Sequence, residues 1–257
     1  MRRRARILRG KTWAALLRDE LARSTLGTDE WMEQHVRILR SDANSRSGLL
    51  RLEDQACFVK LYRIPSRWRR TLLGLGSGRP LRSFKAARDL RARGVAVPRP
   101  LACLLVREGM LLLSEGLSGD GNLAELWRQQ PPGAPEAMAM MRSIGENLAL
   151  LHRSGYAHGS CRWGNLVWDG RRVYLVDLDR AFKSPLGSMA QAQDLARFTL
   201  NAEERHIGPQ NYELFLSAYL QGIDESRRVV IERMLPFLYR FRDNHLVDYG
   251  AHGQRLV

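Results

Sequence analysis

Short apolar runs separated by polar turns occupy the first part of the chain, and they predict strands. Five such runs stand at residues 36–39, 49–52, 56–62, 101–106 and 110–113. The polar links at residues 53–55 and 107–109 are short enough to close hairpins. We therefore expect a small antiparallel sheet.

Apolar positions at helical spacing predict helices, most of them in the second part of the chain. These segments lie at residues 11–32, 81–93, 122–130, 135–154, 190–200, 211–221 and 225–242. In the long helix at 135–154, the predicted apolar stripe is Met138, Met141, Ile144, Leu148 and Leu151. Strands followed by helices predict an α+β protein.

The change from strands to helices suggests a division of the chain. We expect a basic, helical extension at residues 1–32, a strand-rich lobe at 33–114 and a helical lobe at 115–257. Gly116, Gly119 and Gly121 favour a flexible crossing between the last two. Residues 63–80 are basic and rich in turn residues, which predicts a long loop.

Two polar side chains flank a predicted hairpin in the second half. Asn165 precedes one apolar run, Asp177 follows the next, and Asp169-Gly170 supplies the turn between them. A hairpin brings its two ends together, so the amide oxygen and the carboxylate should converge. Both are hard oxygen ligands, which suits Mg²⁺ on a polyphosphate.

Lys60 lies inside an apolar strand, on the same face as Phe58 and Tyr62. A lysine on a buried strand face needs an anionic partner, because desolvating an unpaired ammonium is costly. We interpret it as a phosphate-contacting lysine, although an edge-strand position would also accommodate it. The preceding link at 41–48 could cover a phosphate, but Gly48 is its one glycine and a plain hairpin loop explains it almost as well.

Composition narrows the partners and the location. The chain carries a formal net charge of +14, which favours an anionic partner such as a phosphorylated glycolipid, anionic lipid or nucleic acid. A coding bias toward arginine is the plainer explanation of this positive charge, and it requires no anionic partner. The three cysteines form no C-x-x-C pair, so neither a zinc site nor a disulfide framework is expected. No apolar run approaches ~18 residues, so we expect a cytoplasmic protein that meets a membrane only peripherally.

Several segments together resemble the bacterial lipopolysaccharide kinase (Kdo/WaaP) family of the protein-kinase-like superfamily. They are residues 58–62, 94–101, 151–159 and 175–181, and His158, Asn165 and Asp177 match the His, the Asn and the metal-binding Asp of kinase motifs. The resemblance implies a two-lobed protein-kinase-like fold, with a small antiparallel sheet in the N-lobe and a mainly helical C-lobe. It also implies ATP and Mg²⁺ as cofactors and phosphorylation of a heptose or Kdo sugar of the lipopolysaccharide core.

The resemblance also assigns roles to single residues. Lys60 would contact the α- and β-phosphates, Gly48 would belong to the phosphate-covering loop, and Glu115 would lie where backbone groups meet adenine. Asn165 and Asp177 would be metal ligands. His158 would brace the loop, and Asp179 would be either a catalytic acid or a capping residue.

Two departures from the family pattern bear on catalysis. Ser160 stands where the catalytic Asp is expected, and Ser83 where a helix usually supplies a Glu to pair with Lys60; Glu108, Glu115 or Asp177 could replace it. The sequence therefore leaves two main hypotheses: a pseudokinase that binds ATP or a partner protein, and an active atypical transferase. Small-molecule kinases of the aminoglycoside type are a substrate alternative, and a nucleic-acid binder is the least supported reading.

Overall fold

The computed structural model describes residues 5–64, 66, 78–118, 121–129, 133–249 and 254–257. The chain forms two compact units. Met1–Asp89 and Pro98–Leu117 make up the first, and Leu90–Val97 and Ser118–Val257 the second. We call them the sheet unit and the helical unit. The predicted loop at 63–80 lies largely outside the described residues.

The sheet unit is built on a six-stranded sheet with the strand order β1-β5-β6-β4-β3-β2, in which all neighbours are antiparallel. The strands are β1 (Arg6–Arg9), β2 (Arg37–Ser41), β3 (Ser45–Leu52), β4 (Gln55–Arg63), β5 (Pro100–Leu105) and β6 (Gly109–Glu115). Its helices are α1 (Lys11–Arg23), α2 (Thr28–His35) and α3 (Arg79–Ala92), the last of which crosses into the other unit. The five predicted strands are confirmed.

The start of the chain differs from the sequence prediction. A strand, β1, precedes the first helix, and the single helix predicted at 11–32 is wrong because α1 and α2 are separate. The break comes at Gly27, whose amide donates to the Glu30 carboxylate at 3.1 Å and so begins α2. Apolar residues of both helices share one core, which is why the pattern looked continuous.

The two faces of the sheet bury different residues. One face packs against α1 and α2, and its strand β4 contributes Cys57, Val59 and Leu61. Because side chains alternate along a strand, Phe58, Lys60 and Tyr62 lie on the opposite face, as the sequence predicted. On that face Leu81 and Phe84 of α3 pack against Cys103 and Met110.

The helical unit contains α4 (Leu123–Gln129), α5 (Ala134–Arg153), α6 (Met189–Glu204), α7 (Pro209–Ile223) and α8 (Arg227–Tyr249). Two small ladders complete it: β7 (Tyr156–Ala157) with β10 (Phe182–Lys183), and β8 (Leu166–Trp168) with β9 (Val173–Leu175). The predicted helices of this half are confirmed, with longer bounds for α6, α7 and α8. The fold is therefore α+β and consistent with a kinase-like architecture.

One part of the predicted apolar stripe of α5 is wrong. Met138 is 44% exposed, whereas Ala137 and Met140 are buried at the start of the same stripe. The helix packs closely on α7, since a Cβ on Gly145 would come within 2.3 Å of the Phe215 carbonyl oxygen. Ala137, Met141, Ile144 and Leu148 follow the i, i+3, i+4 spacing of one helix face, and Met138 lies outside that face.

The three cysteines, Cys57, Cys103 and Cys161, are buried and form no disulfide. Burial raises the pKa of the Cys103 thiol to about 12, which keeps it protonated.

Within the residues that the structure describes, no helix has both the length and the apolar content needed to cross a membrane.

Candidate active site

The loop at residues 158–165, which we call the 158–165 loop, leads directly into the hairpin of β8 and β9. Leu166 pairs with Leu175 and Trp168 with Val173, as the Asp-Gly turn predicted. The turn is held by Asp169, whose Oδ1 accepts hydrogen bonds from the amides of Arg171 and Arg172 at 2.9 Å each. The hairpin fixes the distance between the two polar residues at its ends.

Asn165 and Asp177 come together at the open end of this hairpin. The Val176 amide donates to the main-chain oxygen of Asn165 at 2.9 Å, which places Asp177 one residue from Asn165's direct partner. The Asn165 side chain donates from Nδ2 to the Ser160 carbonyl at 2.8 Å. Because the nitrogen is used in this bond, Oδ1 is the amide atom suited to a cation.

Asp177 adopts an unusual backbone conformation. Its φ of 57° and ψ of 58° are left-handed, which few residues other than glycine adopt. The side chain is exposed, and the short 3-10 turn Leu178–Arg180 follows immediately. Exposed Glu53 and Asp224 share this conformation, so it does not by itself mark a functional site. Asp179 lies within the 3-10 turn and is partly buried; its catalytic role stays a prediction.

His158 is fully buried and connects the loop to the segment before Asp177. Its Nε2 lies 3.1 Å from the Val176 carbonyl oxygen, to which it donates in the corresponding tautomer. A ring held in this way has little access to a substrate. The contact supports the bracing role that the resemblance implied rather than a role as base.

Asp194 of α6 is a site residue that the sequence analysis did not single out. Its buried Oδ2 accepts hydrogen bonds from the main-chain amides of His158 at 2.6 Å and Gly159 at 3.3 Å. A carboxylate is a strong acceptor for such amides. The available signal was an acidic residue on the buried face of a predicted helix, beside Leu195 and Phe198.

His152 packs against the same carboxylate. Its Nδ1 is 2.7 Å from the Tyr219 hydroxyl, and its Nε2 is 3.6 Å from Asp194 Oδ2. Burial lowers the pKa of His152 more strongly than the attraction of Asp194 raises it. The imidazole is therefore neutral at ordinary pH. The negative charge of Asp194 strengthens the hydrogen bonds from the main-chain amides of His158 and Gly159 instead.

Ser160 lies between these supports and is partly buried. Its carbonyl receives the Asn165 amide, and its Oγ lies 3.5 Å from the same nitrogen. A serine hydroxyl has no basic character near neutral pH without a base of its own. The carboxylate of Asp194 is buried and bonded to the loop amides, so it does not serve as that base.

The sheet unit carries the other candidate residues. Lys60 pairs with Ser47 and Leu112 in the sheet, and its Nζ lies 5.0 Å from the Tyr62 ring centroid. Such a contact is a weak cation–π interaction. Ser83, where the family pattern expects a glutamate, is buried in α3. The alternative Glu108 accepts a hydrogen bond from the Thr28 amide at 3.2 Å, at the start of α2.

The predicted 41–48 link is wrong in its extent. Strand β2 continues through Ser41 and β3 begins at Ser45, so that three residues remain in the turn. Gly48 lies within β3, where a Cβ would come within 2.3 Å of the Arg37 carbonyl oxygen. Close strand approach is thus one reason for this glycine, and its contact with a nucleotide stays a prediction.

Glu115 ends β6 and is held by Arg99. The Arg99 amide donates to Glu115 Oε1 at 2.7 Å, and the Glu115 amide donates to the Arg99 carbonyl at 2.9 Å. Its amide and carboxylate therefore both contribute to the end of the sheet. The predicted adenine contact at this position remains untested.

Comparison with known proteins identifies the family. The profile of the lipopolysaccharide kinase (Kdo/WaaP) family matches residues 29–219. A "3-deoxy-D-manno-octulosonic acid kinase" of Xanthomonas axonopodis pv. citri (strain 306) is 35% identical over 120 residues, 45% of this chain and 46% of that protein. Proteins of the same name from Xanthomonas campestris pv. campestris (strain B100) and Stenotrophomonas maltophilia (strain R551-3) are each 32% identical, over 129 and 112 residues.

These alignments cover 48% and 42% of this chain, and 50% and 43% of the two relatives. The chain thus spans about half the length of the curated relatives it matches. The family profile covers most of the chain and includes both the strand of Lys60 and the 158–165 loop. The chain belongs to the lipopolysaccharide kinase (Kdo/WaaP) family.

Proposed function

We propose that this protein binds ATP with Mg²⁺ and acts in lipopolysaccharide inner-core phosphorylation or assembly, with impaired or absent phosphoryl transfer. The observation that carries the proposal is Ser160. It occupies the centre of a loop whose other supports, His158, Asn165 and Asp194, are all in place. The protein would thus be pseudokinase-like, with a loop built for nucleotide chemistry and a hydroxyl where the base belongs.

The donor set of the helical unit fits Mg²⁺. Asn165 offers an amide oxygen and Asp177 an exposed carboxylate, and hard oxygen ligands suit this ion. No group of three His, Cys, Asp or Glu side chains that could hold a metal occurs among the described residues. A cation bound here would therefore share its coordination with nucleotide phosphates and water, and it would neutralise charge on the transferring phosphoryl group.

On the sheet unit, Lys60 is the residue we assign to the α- and β-phosphates. Its strand neighbours Val59 and Leu61 are buried, which fixes the backbone from which the side chain extends. A lysine ammonium acts on phosphate as a point charge and needs no particular fork geometry. Its contribution would be to binding, and it does not depend on the residue at position 160.

The consequence of Ser160 is a slow or absent chemical step. Positioning and charge stabilisation supply most of the catalysis of phosphoryl transfer, so binding alone retains some rate. General-base assistance contributes a factor of about 10²–10⁴. We therefore expect ATP to bind with ordinary affinity and to be turned over slowly or not at all.

The second candidate is an active, atypical kinase. The bracing of the loop by Asp194 favours it, because the main-chain support of the loop is intact. By analogy with the relatives, the acceptor would be a 3-deoxy-D-manno-octulosonic acid sugar, or else a heptose, of the core. Asp179 or the acceptor itself would then assist proton transfer.

The test restores the missing acid. Ser160→Asp and Ser160→Asn are compared with the unchanged protein for phosphate transfer from ATP to core glycolipid freed of phosphate, and for ATP binding by calorimetry. A gain of about 10²-fold or more with Asp, but none with Asn, would support impairment by the missing base. A high rate in the unchanged protein would instead establish the active kinase. Absence of Mg²⁺-dependent ATP binding in all three would overturn the proposal.

A further inference from the structure

Four arginines of the helical unit converge beside the 158–165 loop, although they come from four different segments. They are Arg162 in the loop, Arg180 in the 3-10 turn, Arg197 in α6 and Arg240 in α8. Three of them are exposed and Arg197 is partly buried. We call them the arginine cluster.

The first pair follows from the way the loop lies on α6. Asp194 binds the start of the loop, and two turns further along the helix Asn201 Oδ1 accepts from the Trp163 amide at 3.1 Å. Arg197 lies one turn beyond Asp194, on the stretch of helix between the two anchors. Arg162, which precedes Trp163, therefore lies over this same stretch.

The other two members reach the same place by independent contacts. A Cβ on Gly159 would come within 2.4 Å of the Arg180 carbonyl oxygen, so Arg180 touches the residue before Ser160. Arg240 is near Arg197 because both guanidinium groups contact the ring of Phe241. The guanidinium carbons of Arg197 and Arg240 lie 4.6 Å and 5.6 Å from the centroid of Phe241.

The charges of the cluster act on one another. Burial lowers the pKa of Arg197, and the positive charges of Arg162, Arg180 and Arg240 lower it further, against the attraction of Asp194. Asp194, the carboxylate that attracts Arg197, is engaged with the main-chain amides of His158 and Gly159. Like charges gathered in this way are unfavourable unless an anion neutralises them.

We propose that the arginine cluster binds a carboxylate or phosphate group of the acidic acceptor sugar, beside Ser160. Guanidinium groups form paired, planar hydrogen bonds with both kinds of group, which gives orientation as well as affinity. Arg162 is two residues from Ser160, so an acid bound by the cluster would lie next to the position where the acceptor hydroxyl reacts. The inference rests on the proposed function, since it specifies the acceptor of that site.

The test measures binding without requiring turnover. The full chain is titrated by calorimetry with four ligands: ATP–Mg²⁺, inorganic phosphate, a short DNA duplex, and deacylated, water-soluble core oligosaccharide that retains its carboxylates and phosphates. The variant is Arg180→Gln with Arg240→Gln, both exposed positions whose loss should leave folding intact. The control is Arg142→Gln with Arg171→Gln, which removes the same charge from the same unit.

We expect the cluster variant to bind the oligosaccharide at least about tenfold more weakly, since charge-assisted hydrogen bonds are lost. The control should change by less than about twofold, and ATP binding should be the same in both. Weakened phosphate binding by the cluster variant would indicate a phosphate subsite, and unchanged phosphate binding would indicate a carboxylate subsite.

Equal oligosaccharide affinity in the two double variants would overturn the inference, and so would a loss of ATP binding confined to the cluster variant. Tighter binding of a DNA duplex than of oligosaccharide through the cluster would also overturn it. The outcomes separate the two proposals. Oligosaccharide binding through the cluster without ATP binding would leave the inference standing while the proposed function fails. ATP binding together with equal oligosaccharide affinity in the two double variants would leave the proposed function standing while the inference fails.

Discussion

Asp194 holds the 158–165 loop by its main chain, from a fully buried position in α6. Its Oδ2 accepts hydrogen bonds from the amides of the two residues before Ser160, whereas Oδ1 is buried with no hydrogen-bond partner among the described residues. The contact acts on the backbone, so it does not depend on the identity of the residue at position 160. It would hold the loop in the same shape whichever residue stands at that position.

The first prediction concerns this carboxylate. Asp194→Asn keeps the size of the side chain but replaces charge-assisted hydrogen bonds with neutral ones, and we expect a loss of about 1.5–3 kcal/mol in the free energy of unfolding. Urea denaturation measures it. Asp243→Asn, at an exposed position of α8, is the matched control and should change the value by less than about 0.5 kcal/mol. Equal effects would show that Asp194 is not a structural anchor.

The second prediction uses His152, whose pKa lies below its ordinary value of 6.5 because of burial. Above that value the imidazole is neutral in both states. As the pH falls, the unfolded chain takes up the proton first, so the free energy of unfolding decreases by up to about 1.4 kcal/mol per pH unit until the folded pKa is reached.

Urea denaturation at about pH 7.5 and about pH 5.5 measures this dependence. His152→Gln removes the titrating group, so the difference between the two pH values should shrink relative to the unchanged protein. His206→Asn, at an exposed position with a φ of 53° that asparagine tolerates, should keep the full difference. A difference unaffected by His152→Gln would mean that other groups dominate acid sensitivity.

At the scale of elements, the junction between β1 and α1 is the feature that the apolar pattern concealed. β1 has arginine at both ends and only two apolar residues, so no alternation could mark it. It becomes a strand because it pairs with β5, nearly a hundred residues away in the sequence. Gly10 then turns the chain into α1 with a φ of 71°.

The third prediction follows from this turn. A Cβ on Gly10 would lie 1.8 Å from the Leu101 carbonyl oxygen, so Gly10→Ala must displace β1 from the sheet edge as well as strain the backbone. We expect a loss of about 2–3 kcal/mol in the free energy of unfolding. Gly133→Ala is the control, because within the described part of the chain no atom beyond its neighbours in sequence lies within 4 Å of the added Cβ. A loss no larger than that of the control would contradict the close approach.

The elements that the sequence did reveal are those whose signal is local. Short apolar runs marked the five strands, and the Asp169-Gly170 turn placed Asn165 and Asp177 at one end of a hairpin. The role of Asp194 could not be predicted in this way, because its partners lie more than thirty residues earlier in the chain. The convergence of the arginine cluster is likewise a product of helix packing, and no spacing in the sequence records it.

At the scale of the molecule, the charge of +14 has two distinct consequences. Arginines gathered at one place, as in the arginine cluster, would form a specific site. Charges spread over the surface produce a long-range field that attracts anionic surfaces and is screened by salt, with a Debye length of about 8–10 Å at physiological ionic strength. The second effect bears on where the protein works, which we propose to be the cytoplasm, at the inner face of the cytoplasmic membrane.

Three exposed apolar side chains follow the 3-10 turn of the helical unit and would support such contact. Phe182, Leu186 and Met189 are 50%, 43% and 58% exposed, and Lys183 stands among them. Apolar groups beside a cation suit the boundary between lipid headgroups and acyl chains. An acceptor anchored in a membrane would be presented at the same surface.

The fourth prediction tests this contact by co-sedimentation with vesicles. The unchanged protein should bind vesicles containing anionic lipid more tightly than neutral ones, and high salt should weaken the binding. Phe182→Ser with Met189→Ser should weaken it by about tenfold, because buried apolar area is lost. Leu39→Ser with Leu246→Ser removes exposed apolar side chains elsewhere and should have little effect. Unchanged binding in both double variants, which keep the full charge of the protein, would mean that the field alone, and no particular surface, brings the protein to the membrane.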